Sequence, residues 1–149
     1  MEIERKFLIK ELPKDIDAYP YRLIEQAYLT TDPVIRVRKE DEGYYITYKG
    51  SGLLAREEYN LPLTAKAYDT LKSKSEGNII SKKRVLIPYE SYTIELDIFD
   101  PPFAPLILAE VEFPSVEEAN AFDGPDWFDI DVTNDTNYHN STMSRKIFS

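Results

Sequence analysis

At 149 residues, 42% of them hydrophobic and 13% aromatic, the chain has the size of one domain and too many apolar side chains for a disordered polypeptide. It has no cysteine, which excludes disulfides, thiolate metal sites and cysteine nucleophiles and fits a reducing, cytoplasmic setting. A formal charge of −9 argues against a binder of nucleic-acid polymers, and Glu2, Glu4, Arg5 and Lys6, with no long apolar run elsewhere, argue against a leader or a membrane span.

Period-two alternation predicts strands near 2–9, 25–30, 34–40, 44–49, 56–61, 80–87, 92–99 and 107–113. In the first, Glu2, Glu4 and Lys6 share one face, and Ile3, Arg5, Phe7 and Ile9 share the other. Asp32-Pro33 precedes the third strand, which sets Arg36 and Arg38 against Ile35 and Val37. Asp41-Glu42-Gly43 then turns the chain into the fourth, which ends with Lys49 on the face of Thr47. After Gly50-Ser51-Gly52, Arg56 and Glu58 share a face. Thr64 is placed to cap a helix over 65–75 that Gly77 ends. Lys82 and Arg84 follow opposite Val85 and Ile87; Glu95 and Asp97 oppose Ile94, Leu96 and Ile98; Glu110 and Glu112 oppose Ala109, Val111 and Phe113. Ser115 with Glu118 forms a capping box for a short helix stopped by Gly124-Pro125, and the tail over 138–148 reads as helical. No repeat or linker interrupts the pattern, so residues 1–149 are expected to form a single domain.

The polar face of nearly every strand is charged, about seven cations and seven anions in all. Same-sign residues recur at i,i+2, about 7 Å apart, where like charges repel. Such pairs are relieved by something of opposite sign between them: a divalent cation for Glu2/Glu4 and Glu110/Glu112, a phosphate chain for Arg36/Arg38 and Lys82/Arg84. A solvated outer face of salt bridges is the alternative reading. None of the five glycines falls in a P-loop, and the one histidine, His139, lies in a polar tail and reads as a surface residue. Metal catalysis remains, and ligands that are all oxygen suit Mg²⁺ or Mn²⁺.

Eight fragments in order carry a resemblance: Glu-Ile-Glu-Arg-Lys-Phe-Leu (2–8), Gln-Ala-Tyr-Leu (26–29), Arg-Val-Arg (36–38), Tyr-Lys-Gly (48–50), Arg-Glu-Glu-Tyr (56–59), Lys-Lys-Arg (82–84), Ile-Glu-Leu-Asp-Ile-Phe (94–99) and Ala-Glu-Val-Glu-Phe (109–113). Together they resemble the CYTH superfamily of triphosphate tunnel metalloenzymes, most of all its short bacterial inorganic triphosphatases. The resemblance implies an α+β, mainly antiparallel β fold: an eight-stranded tunnel barrel with a charged interior and a few covering helices. It implies metal-dependent hydrolysis of a small-molecule triphosphate, with inorganic tripolyphosphate the first expectation. Thiamine triphosphatase, nucleoside triphosphatase, adenylate cyclase and a non-catalytic polyphosphate-binding module stay open.

By motif, Glu2, Glu4, Asp97, Glu110 and Glu112 match the metal-binding positions. Lys6, Arg36, Arg38, Lys49, Arg56, Lys82 and Arg84 match the phosphate-gripping set, supported by Glu58 and Glu95. Ala27 stands where the family often has Gly, Asn60 and Asp131 where it has Glu, and Asn137 near a basic position; the shorter Asp131 is left out of the metal set. Lys49, expected among other cations that lower its pKa, is the candidate base with Tyr28 relaying or orienting the proton; the alternative is that Lys49 only binds phosphate and Tyr28 only packs. Tyr19, Tyr21 and Trp127 are read as packing residues in preference to a base-stacking platform.

Overall fold

The computed structural model describes residues 1–148. Its strands are β1 (Glu2–Ile9), β2 (Tyr21–Thr31), β3 (Val34–Glu40), β4 (Gly43–Lys49), β5 (Ala55–Arg56), β6 (Glu58–Pro62), β7 (Glu76–Tyr89), β8 (Tyr92–Phe99), β9 (Ile107–Glu112) and β10 (Phe128–Asp131). Three helices join them: α1 (Ala65–Ser73), α2 (Val116–Ala121) and α3 (Asn140–Met143). Thr64 accepts a hydrogen bond from the Ala67 amide and Ser115 one from the Glu118 amide, so both expected caps form. The tail is less helical than its composition suggested, with a 3-10 turn over Thr136–Tyr138 before the four-residue α3.

All ladders are antiparallel, in the order β10-β1-β9-β8-β7-β2-β3-β4-β6. Ten strands replace the expected eight. The segment 56–61 divides at Glu57 into β5 and β6, and the short Phe-Asp-Ile-Asp run makes β10. This division matters for closure. β5 pairs with β1, Glu2 opposite Arg56, while β6 pairs with β4, Lys49 opposite Glu58. One stretch of chain therefore reaches both sides of the curled sheet, but the ladder itself is not a closed ring.

Ile80, Phe99 and Leu108 share the charged face, Phe99 opposite Lys82 and Leu108 opposite Asp97, and pack with Met143 of α3. The apolar face points outward from the tunnel and is covered: Phe7, Val85, Ile94, Leu96 and Val111 pack under Ala119 of α2 and Phe122, and Ala27 and Val37 under Tyr68 of α1. Arg5, the cation on this apolar face, donates to the carbonyls of Ala119 and Phe122 at 2.8 and 2.7 Å, satisfying the open end of α2, and pairs with Asp131 at 2.8 Å. Asp131 thus serves the outside of the tunnel. The tail is pinned at Gly77, whose φ of +79° brings the backbone so close to the Ser144 carbonyl that an added Cβ would lie 2.1 Å from its oxygen. No helix among the described residues is long and apolar enough to cross a membrane.

Candidate active site

The charged faces converge on a cavity of about 340 Å³, within the range of small-molecule sites. It is lined by Glu2, Glu4, Lys6, Tyr28, Arg36, Arg38, Lys49, Arg56, Glu58, Arg84, Glu95, Glu110 and Glu112 from the sequence-based set. Lys82 and Asp97 lie behind it, 2% and 0% exposed. Tyr19 and Trp127 pack against the apolar core, and Tyr21 lies under the Lys83 ammonium, 4.3 Å from its ring centre; none of the three lines the cavity.

On the side built by β7, β8, β9 and β1, charges neutralise one another. Arg84 donates to both Asp97 oxygens at 2.7 and 2.9 Å, to Glu95 at 3.0 Å and to Glu110 at 3.2 Å. Lys82 pairs with Asp97 at 2.7 Å and Lys6 with Glu110 at 3.4 Å. Burial alone would raise the pKa of Asp97 and of Glu110. The cations outweigh it and hold both low: Arg84 and Lys82 for Asp97, Lys6 and Arg84 for Glu110. Burial lowers the Lys82 ammonium to about 8 despite Asp97, with Arg84 and Arg38 adding to the effect.

Carboxylates also meet one another. The register sets Glu4 opposite Glu112 and Glu95 opposite Glu110, like-charge pairs that destabilise a sheet unless a cation lies between them. Glu2, Glu4 and Glu112 each bring an oxygen within 4.8 Å of the others, as do Glu4, Glu95 and Glu110. Burial, and then the charges of Glu110 and Glu2, raise the Glu4 pKa well above normal. Glu2 rises to about 7, from burial and its hydrogen bond with Glu58. Asp97, expected among the metal ligands, is instead bound up with Arg84 and Lys82 and belongs to neither group.

The opposite side, from β3 to β6, is different. Arg36 is 7% exposed, and its one hydrogen bond is a long one to Thr47 Oγ1, 3.4 Å. Its Nε has no partner, and neither does the buried Nε of Arg56; among the described residues neither guanidinium has a carboxylate within 4.0 Å. Arg38 is turned inward by Gln26 Oε1, at 2.9 and 2.7 Å, with Glu40 at 3.6 Å. Thr47 donates to Asn60 Oδ1 at 2.6 Å and Asn60 to Glu58 at 2.7 Å, so Asn60 completes a hydrogen-bonded row in place of a carboxylate.

Lys49 Nζ lies 3.0 Å from Glu2 and 3.3 Å from Glu58, so its nearest charges are carboxylates and not the cations expected from the sequence. Burial would raise the pKa of Glu58, but its bonds to Glu2 and Asn60 and the charge of Lys49 hold it near about 2. Tyr28 shares the cavity with Lys49, and its hydroxyl accepts from Gln26 Nε2 at 3.0 Å. In register Lys49 faces Val34, which faces Thr31, so Tyr28 is not its cross-sheet neighbour.

Several cavity residues escaped the sequence analysis. His139 is half-buried and lines the cavity, its Nε2 3.1 Å from the Thr133 carbonyl, in place of the surface position expected; burial lowers its pKa. Asn140 and the Tyr138 carbonyl take donors from Lys82, Gln26 and Lys6. These amides and carbonyls carry no charge and sit in a segment without strand periodicity, so alternation gave no signal for them.

A family model described as the CYTH domain matches residues 1–119. The chain is 38% identical over 152 residues to an inorganic triphosphatase of Nitrosomonas europaea, covering 98% of each. It is 34% identical over 152 residues to an inorganic triphosphatase of Acetivibrio thermocellus, covering 95% of this chain and 92% of the relative. A crystal structure of an inorganic triphosphatase matches with a TM-score of 0.74 at 33% identity, covering 100% of this chain and 97% of the other.

Proposed function

The chain belongs to the CYTH domain family, and we propose that residues 1–149 act as one catalytic domain that hydrolyses inorganic tripolyphosphate with Mg²⁺ or Mn²⁺. One observation carries the reading: two buried guanidinium nitrogens without partners share a cavity with two groups of three carboxylates. A linear polyanion supplies oxygens to the first and a hard cation relieves the second.

The donor set fits such a cation, being all oxygen with one carboxylate, Glu4, common to both groups. When bound by Glu2, Glu4, Glu95, Glu110 and Glu112, the ion supplies charge neutralisation at phosphoryl oxygens and an acidified water. Arg36 and Arg56, with Arg38 and Lys49, hold the phosphate chain along β3–β6 and fix the terminal phosphorus for in-line attack. Water adds to that phosphorus, the bond to the bridging oxygen breaks, and pyrophosphate leaves on the arginines. Lys49 Nζ, an ammonium between Glu2 and Glu58, has no lone pair to take a proton and holds phosphate; we assign the proton of the attacking water to the Glu112 carboxylate, which no cation pairs among the described residues, and to Tyr28 a packing role on the cavity wall. Asp97, Lys82 and Arg84 support this surface from behind.

Phosphate release from tripolyphosphate, ATP, thiamine triphosphate and pyrophosphate, each with Mg²⁺, with Mn²⁺ and with chelator, tests the proposal. Fastest release from tripolyphosphate, abolished by chelator, is expected; ATP as the better substrate, or turnover indifferent to chelator, contradicts it. Lys49→Arg tests the proton assignment. It keeps the positive charge, so substrate affinity, kcat and the basic side of the pH profile are expected to survive, although arginine does not give up its proton. A kcat that falls with loss of the basic inflection would return the proton transfer to Lys49.

A further inference from the structure

We propose that the tail over 138–140 is a length gauge, filling with its own oxygens the place a fourth phosphoryl group would take; this rests on the tripolyphosphatase reading above. Asn140 Oδ1 accepts from Lys82 Nζ at 3.1 Å and from Gln26 Nε2 at 3.2 Å, and the Tyr138 carbonyl accepts from Lys6 Nζ at 3.0 Å. All three donors are buried, at 2%, 0% and 7% exposure. Each has an acceptor that is neutral and belongs to one short stretch of chain. The arrangement copies what phosphate oxygens would offer: acceptors spaced to meet an ammonium and an amide at once.

The contrast with Arg36 and Arg56 gives the gauge its direction. Both line the cavity with no carboxylate in salt-bridge distance among the described residues, so the phosphate chain has room along β3–β6. Toward the tail, Lys82 and Lys6 already have partners, and a longer chain would have to displace Asn140 to reach them. Displacement is resisted because the tail is held on both sides. The Val132 amide donates to the Lys6 carbonyl at 2.8 Å, and Asn78 Nδ2 donates to the carbonyls of Met143 and Lys146 at 3.2 and 2.7 Å.

Removing the Asn140 side chain takes one acceptor each from Lys82 Nζ, which keeps Asp97 at 2.7 Å, and from Gln26 Nε2, which keeps the Tyr28 hydroxyl at 3.0 Å; a fourth phosphoryl group can supply the acceptor lost. The test compares kcat/KM for linear tetrapolyphosphate and tripolyphosphate, both with Mg²⁺, in the parent protein, Asn140→Ala and Asn140→Asp, with melting temperature followed in each. Asn140→Ala is expected to raise the tetra-to-tri ratio about tenfold, the worth of one charge-assisted hydrogen bond. Asn140→Asp keeps the acceptor, adds a negative charge and lowers the ratio; it also serves if the alanine variant fails to fold. A ratio that stays constant across the variants that fold, that moves the same way in both, or that already favours tetrapolyphosphate in the parent overturns the gauge alone. Absence of tripolyphosphate turnover in the parent overturns the triphosphatase reading, and the gauge with it.

Discussion

The two sides of the cavity use the same residue types on the same face of one sheet and do opposite things with them. Between β7, β9 and β1 every cation has a carboxylate: Arg84 reaches three, Lys82 one and Lys6 one. Between β3 and β6, Arg36 and Arg56 have none within salt-bridge distance among the described residues, and each buries an Nε without a partner. A buried donor left open costs about 1–3 kcal/mol, and more when charged. The first side returns its desolvation penalty through internal pairs; the second does so only when an anion arrives. Neutralised charge is structure, and open charge is binding capacity.

The largest expected effect comes from breaking the neutralised side. Asp97→Asn removes the carboxylate between Arg84 and Lys82; Arg84 keeps Glu95 and Glu110, but Lys82 is left a buried cation without a carboxylate, so denaturant titration should show a loss of about 3–5 kcal/mol. Wild-type stability would mean that this network is dispensable and that the two sides do not differ.

On the open side the effect moves from stability to kinetics. Arg36→Ala deletes a buried charge without a carboxylate partner, so stability should hold or rise while kcat/KM for tripolyphosphate falls about tenfold to a hundredfold, the worth of one or two charged hydrogen bonds. Lys66→Ala, at an exposed position on α1, is the control and should change neither. Equal losses at Lys66 and Arg36 would erase the distinction.

Acidity sharpens the comparison for the carboxylates. Protons compete with a divalent ion for Glu2 and Glu4, whose raised pKa values mean that they keep their protons to higher pH than an ordinary carboxylate. The sign follows: ion affinity is low at acid pH and climbs as pH rises through about 7, the Glu2 value, with proton release on binding. Glu58, held near about 2, is already ionised across that range and adds nothing to the slope. Calorimetric titration with Mn²⁺ in two buffers of different ionisation enthalpy measures this, and an affinity flat across that pH range would place the ion elsewhere.

Alternation along the chain told which face each charge takes, and it did so for Glu2, Glu4, Arg36, Lys49, Glu95 and Glu110, all of which line the cavity. It could not tell register. Whether Glu95 meets Glu110 or a cation depends on how β8 slides against β9, and nothing within either strand encodes that. For the same reason Asp97 was grouped with the metal-binding carboxylates although two cations hold it, and Lys49 was expected beside cations although it lies between Glu2 and Glu58. Arg5 shows the complementary case: its period puts it on the apolar face, and only the arrival of α2 supplies the carbonyls that make a cation stable there. β10 was missed because four residues between Pro125 and Val132 are too short a run for alternation to register. The tail's place at the cavity is not legible in its pattern, because it rests on single amides and carbonyls with no period.

The most direct measurement is ligand-induced stabilisation: the rise in melting temperature that tripolyphosphate with Mg²⁺ produces in the parent protein and in the double variant Arg36→Ala/Arg56→Ala. The account predicts a clear rise in the parent and its loss in the variant, whose melting temperature without ligand is unchanged or higher, because open charge was removed and no internal pair was broken. A variant that keeps the full ligand-induced rise, or that is already destabilised without ligand, would contradict it.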